Sequence, residues 1–89
     1  MNTTELILHW TQCRAIAKTA RSGNIAAQRL ANYTAWHPAS QTARQTTNAA
    51  RQAGEAYHRA IQAEAAARQA VWQSIAARWT AAAREAAHV

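Results

Sequence analysis

The longest regular pattern of apolar positions occupies the second half of the chain. Placed at 100° per residue, Ala39, Ala43, Ala50, Tyr57, Ile61, Ala65, Trp72, Ile75, Trp79, Ala83 and Ala86 gather on one face. From Tyr57 onward the steps between them are 4, 4, then 7 across Arg68, then 3, 4, 4 and 3 residues, an average of about 3.6 once Arg68 is counted as a position of the stripe. That period predicts helix, and no period-2 stretch suggests a strand. The opposite face carries Gln41, Arg44, Arg51, Gln52, Arg59, Gln62, Gln69, Gln73 and Arg84, as a solvated face would. Two residues interrupt the stripe. Gly54 marks either a close backbone approach or a kink. Arg68 must either stretch outward along its own stem or meet Glu64 one turn earlier.

The first half reads as two shorter helices. Asn2-Thr3-Thr4-Glu5 has the form of a helix start, with Asn2 as the cap and Glu5 three residues on. Leu6, Trp10, Cys13, Ala17 and Ala20, with Ile16 beside them, form an inward face for a helix over residues 3–21. Ser22-Gly23-Asn24 predicts a break, with glycine supplying a left-handed stop and asparagine a new cap. A second helix over 25–36 would turn Ala26, Leu30 and Tyr33 inward. His37-Pro38 ends it, and Ser40 caps a third helix over 39–87. The pattern therefore predicts an all-α single domain of two short N-terminal helices packed on one long C-terminal amphipathic helix, with a fold-back near residues 46–48 as the competing arrangement.

Composition makes that core thin. Of 44 hydrophobic residues among 89, 26 are alanine, so stability must come from high helix propensity, close backbone approach and a second chain. A helix over 39–87 would be about 73 Å long, more than a compact domain of this size can cover. Tyr57, Ile61, Trp72, Ile75 and Trp79 are accordingly the expected oligomer interface, with a dimer favoured.

Charge divides the chain. Between Leu6 and Gly54 stand Arg14, Lys18, Arg21, Arg29, Arg44 and Arg51 with no acid, whereas Glu55 to Val89 holds four arginines and three glutamates. A cationic half suits a polyanion, either nucleic acid or an acidic protein surface. Arg14, Lys18, Arg21, Gln41, Arg44, Gln45, Asn48 and Arg51 are the candidate nucleic-acid-binding residues. Gln and Asn can read adenine, Arg can read guanine, and Ser or Thr can bond phosphates at the start of a helix. Residues 25–51 could form a helix-turn-helix around His37-Pro38, with Ala27 or Ala31 at the crossing; sequence-independent phosphate binding and a plain solvated face are the alternatives.

Other chemistries find little support. His9 and Cys13 share a helix face at i, i+4, but no second pair of ligands stands at comparable spacing, so no metal or other cofactor is expected and Cys13 reads as a small buried hydrophobe. The chain has no Asp and four scattered Glu, which argues against an enzyme or a small-molecule substrate. One cysteine permits no internal disulfide, and no start resembles a signal peptide or a membrane span, so the cytoplasm is the expected location.

Overall fold

A computed structural model describes residues 1–36 and 40–88 of the chain. It contains two long helices, α1 (Thr3–Thr34) and α2 (Gln41–Ala87), and among the described residues no strand. This corrects the expected fold class: the N-terminal part is one long helix, not two short ones packed on a third. The expected His37-Pro38 turn, the start of the third helix at Ala39 and the terminal Val89 lie outside the described residues.

Both caps fall where the sequence placed them. The Asn2 side chain accepts from the Glu5 amide at 2.8 Å, and the Ser40 hydroxyl accepts from the Ala43 amide at 3.0 Å. The expected break at Ser22-Gly23-Asn24 does not occur, and neither glycine has positive φ. Gly23 continues the helix, while Asn24 is half-buried against α2 rather than capping a new start. α2 likewise runs without interruption through Thr46-Thr47-Asn48 and Gly54.

The helices run antiparallel. At the open end the hydroxyls of Thr3 and Ser74 share a hydrogen bond of 2.6 Å; at the other end those of Thr34 and Thr46 do the same. Between them the Trp10 indole donates to Glu64 at 2.9 Å, and the Gln28 amide donates to the Ala50 carbonyl at 3.1 Å. The result is a rod of 75 × 16 × 15 Å with a radius of gyration of 20.8 Å, where a compact globule of this length would have about 12 Å. Such a rod has one narrow seam and little else to bury.

The seam follows a heptad repeat. The residues of α1 that lose exposure are Thr3, Leu6, Trp10, Cys13, Ala17, Ala20, Asn24, Ala27, Ala31 and Thr34, spaced alternately by three and four. On α2 the same alternation runs through Ala43, Thr46, Ala50, Ala53, Tyr57, Ala60, Glu64, Ala67, Val71 and Ser74, and Gly54, Ala65, Ala70 and Ile75 beside it are half-buried as well. Most buried among them are Cys13, Ala43, Ala50, Ala60, Ala67 and Val71, the last only 2% exposed. Taking the first residue of each series as position a puts these residues at a and d. Positions e and b then lie to one side of the seam, g and c to the other, and f behind.

Two expected faces are corrected by this register. Ala27 and Ala31 turn toward α2 in place of Ala26, Leu30 and Tyr33. On α2 the expected stripe begins on the seam at Ala43, Ala50 and Tyr57 but leaves it from Ile61 onward. A seam that repeats every 3.5 residues drifts about 20° per heptad against a 100° wheel, hence about 100° over five heptads. That is enough to carry a 3.6-residue stripe from the seam onto the neighbouring e and b positions.

Gly23 offers a direct check on the continuous α1. An added Cβ there meets nothing within 4 Å, so Gly23→Ala should stabilise the protein by about 0.5–1 kcal/mol, raising the melting temperature by several degrees. Thermal and urea denaturation read the change. A left-handed turn at Gly23 would give the opposite sign.

Candidate nucleic-acid interface

Because the helices are antiparallel, the e edge of one lies beside the e edge of the other. Gln28 and Gly54, both at e, converge on Asn24: the Gln28 amide bonds the Asn24 side chain at 3.3 Å, and the Gly54 Cβ direction points at the same oxygen 3.7 Å away. Nearer the loop, Ala35 and Thr47, again both at e, line one shallow groove with Ala43, Arg44 and Asn48. The e and b positions of both helices thus make a single broad face of the rod.

That face collects the charge. From α1 it receives Arg14 and Arg21 at e and Lys18 at b; from α2 it receives Arg44 and Arg51 at b and Arg68 at e, with His58 at b between them. All seven are exposed. Six of the ten Lys and Arg residues therefore share one face, and none of the four acids falls at an e or b position. Glu5 is at c, Glu55 at f, and Glu64 at a. Glu85 continues the a series beyond the seam. The opposite face is nearly uncharged at its centre, where Ala49, Ala56, Ala63, Ala70 and Ala77 occupy the g positions of α2 as far as the end of the hairpin; the next g position, beyond it, is Arg84.

Of the eight candidate nucleic-acid-binding residues, Arg14, Lys18, Arg21, Arg44 and Arg51 are brought together on this face. Gln41 and Asn48 stand at f along its outer margin, and Gln45 at c points to the other side. The helix-turn-helix arrangement does not form, since that motif crosses two helices at about 90–120° and α1 and α2 lie antiparallel. Arg68 and His58 were not foreseen as part of the cluster. The seven-residue intervals Arg14–Arg21 and Arg44–Arg51–His58 are the signal that would have found the face, once read as a heptad.

A part-buried polar network anchors its middle. The Arg14 guanidinium lies over the Trp10 ring, 5.4 Å from the centroid. Trp10 in turn donates to Glu64, and Glu64 pairs with Arg68 at 3.9 Å, the partner expected for Arg68. The Glu64 side chain is 19% exposed and Arg68 52%, so one carboxylate held in the seam orients a cation on each helix. Arg51 pairs with Glu55 at 3.7 Å on the open surface, where such a pair contributes little.

The expected oligomer residues are spread over two faces. Tyr57 is half-buried on the stripe that meets α1. Ile61 and Ile75 fall at e, and Trp72 and Trp79 at b, toward the open end of the basic face. Cys13 is buried beside His9, with Sγ 3.7 Å from Nε2, and among the described residues no three metal-binding side chains cluster. No described helix is long and apolar enough to cross a membrane. Compared with protein-family models, curated proteins and solved structures, the chain matches none.

The network is tested at Glu64. Glu64→Ala leaves the part-buried Trp10 indole N–H without its acceptor and should destabilise by about 1–3 kcal/mol in urea melts. Glu64→Gln keeps an acceptor and should lose less than half as much. Equal losses from the two variants would show that the hydrogen bond has no role.

Proposed function

We propose that the chain is a small, non-enzymatic cytoplasmic protein that binds nucleic acid through the e and b face of its helical hairpin, by phosphate contacts more than by reading bases. The observation that supports this reading is the gathering of six exposed cations at the e and b positions of one face, where no acid stands, although Glu55 and Glu64 reach Arg51 and Arg68 from neighbouring positions. Arg44 and Arg68 are 24 residues apart on α2, which is about 36 Å along the helix and close to one turn of a duplex. Arg14, Lys18 and Arg21 fill the same stretch from α1. Exposed guanidinium groups spaced along a rigid rod suit a backbone that carries one charge per about 1.7 Å of duplex axis. A rod of paired helices has no free recognition helix, so the contacts fall to the backbone.

The second reading is docking on an acidic protein surface. Ile25 and Ile61, each 41% exposed, stand among the cations, and apolar side chains there fit a protein partner better than a row of phosphates. Both readings use the same face but respond differently to salt and to partner.

Fluorescence anisotropy with a random duplex separates them. Six phosphate contacts predict an affinity that falls about a thousandfold between about 50 and 200 mM salt. Lys18→Ala should weaken binding to all sequences alike and reduce the log–log salt slope by about 0.9. A wild-type protein that leaves the duplex unbound at the lower salt would contradict nucleic-acid binding and favour the acidic partner.

A further inference from the structure

The end of α2 has no counterpart in α1. Thr3, the first residue of α1, is level with Ser74, so residues 75–87 project about 20 Å beyond the hairpin. From Ala76 to His88 every residue is exposed. Carried into this projection, the a and d seam meets Arg78 and Glu85, which would not suit another apolar helix there. The apolar residues lie on the adjacent e and b edge instead: Trp72, Ile75, Trp79, Ala82 and Ala86, spaced by three and four in strict alternation. This is a second heptad seam, and Trp79 on it is 76% exposed.

We propose that two copies of the chain join tail to tail, their projecting α2 ends pairing antiparallel through this second seam about a two-fold axis between Thr80 and Ala81. Three features of the sequence agree on that register. In the seam itself, Trp79 of each copy faces Ala82 of the other, and Ile75 faces Ala86, so every large side chain meets a small one. On one flank Ala76 meets Ala83, which lets the helices approach closely. On the other flank Arg78 meets Glu85, and the two-fold axis makes that ion pair twice. Within one helix Arg78 and Glu85 are seven residues apart on the same edge, about 10 Å from each other and too far to pair. Neither makes an ion pair among the described residues. Glu85 is the only acid in the projection, and it stands where the partner's Arg78 requires one. A two-fold antiparallel pair satisfies both charges and closes on itself, leaving no open edge for further growth. The proposal does not depend on what the basic face binds.

Sedimentation equilibrium of the full chain from about 1 to 200 μM tests it over the range of modest, transient interfaces. The wild type should be a monomer–dimer system. Trp79→Ala should weaken the dimer by about thirtyfold or more, as a central aromatic anchor does. Arg78→Glu and Glu85→Arg each place like charges opposite one another and should weaken it at least about tenfold, whereas the double exchange, Arg78→Glu with Glu85→Arg, should restore it to within about threefold of wild type. The substituted residues lie beyond α1, and circular dichroism confirms that the hairpin remains. A monomer throughout, a dimer indifferent to these changes, a double exchange no tighter than the singles, or a particle larger than a dimer would each overturn the pairing.

Discussion

The structure depends on how closely two helices can approach when the residues between them are alanines. Ala17, Ala20, Ala27 and Ala31 on one side face Ala43, Ala50, Ala53, Ala60 and Ala67 on the other, and the rod they make is only 15–16 Å across. Each alanine buries little apolar area, so the gain per layer is small and is distributed along the whole length. A uniform alanine seam would also slide, since one heptad looks like the next. The polar layers prevent that. Thr3 with Ser74, Trp10 with Glu64, Gln28 with the Ala50 carbonyl and Thr34 with Thr46 each have one satisfied register, and a slip would break these part-buried hydrogen bonds.

Filling the seam with small residues has a consequence for the surface. The large apolar side chains that would form the core of a compact domain are left outside: Ile16, Leu30, Tyr33 and Trp36 on or beyond α1, Trp72 and Trp79 on α2. The cations are sorted by the same geometry, because a residue's place in the heptad fixes which side of the rod it occupies. A chain whose first half is basic thus becomes a rod with one basic face, with Trp72 and Trp79 at its open end, while Ile16, Leu30 and Tyr33 lie on the opposite side. Binding of a polyanion along the rod and self-pairing at its tip are compatible uses of adjacent surface.

Much of this was legible in the sequence, and what was not has a physical cause. The all-helical class followed from the 3.6 period, and both caps from Asn2 and Ser40, whose side chains act on neighbouring amides only. Local chemistry of that kind is written in the sequence. Gly23 misled because its stop signal is local, whereas the continuity of α1 comes from α2 packing along its whole length, with Ala20, Asn24, Ala27 and Ala31 keeping the seam in step through Gly23. The stripe of large residues misled for a related reason: size drew attention to Ile61, Trp72 and Trp79, while the true seam runs through Ala60, Glu64, Ala67 and Val71. Of the basic residues, the cluster on α1 and the start of α2 were visible as a run without acids. Their union with Arg68 needed the antiparallel register, which rests on contacts between residues more than 50 apart in the chain.

The central claim is that α1 is continuous and lies antiparallel along α2, which sets where the N-terminus falls. Spin labels at Thr4 and Ala77, introduced as cysteines with Cys13→Ser and diluted with unlabelled protein, report that distance by pulsed electron resonance. The hairpin predicts a separation within about 20 Å, because Thr3 is hydrogen-bonded to Ser74. A chain that turned at Gly23 would fold its N-terminus back toward the start of α2, putting the labels more than about 40 Å apart at 1.5 Å per residue, and that result would contradict the account.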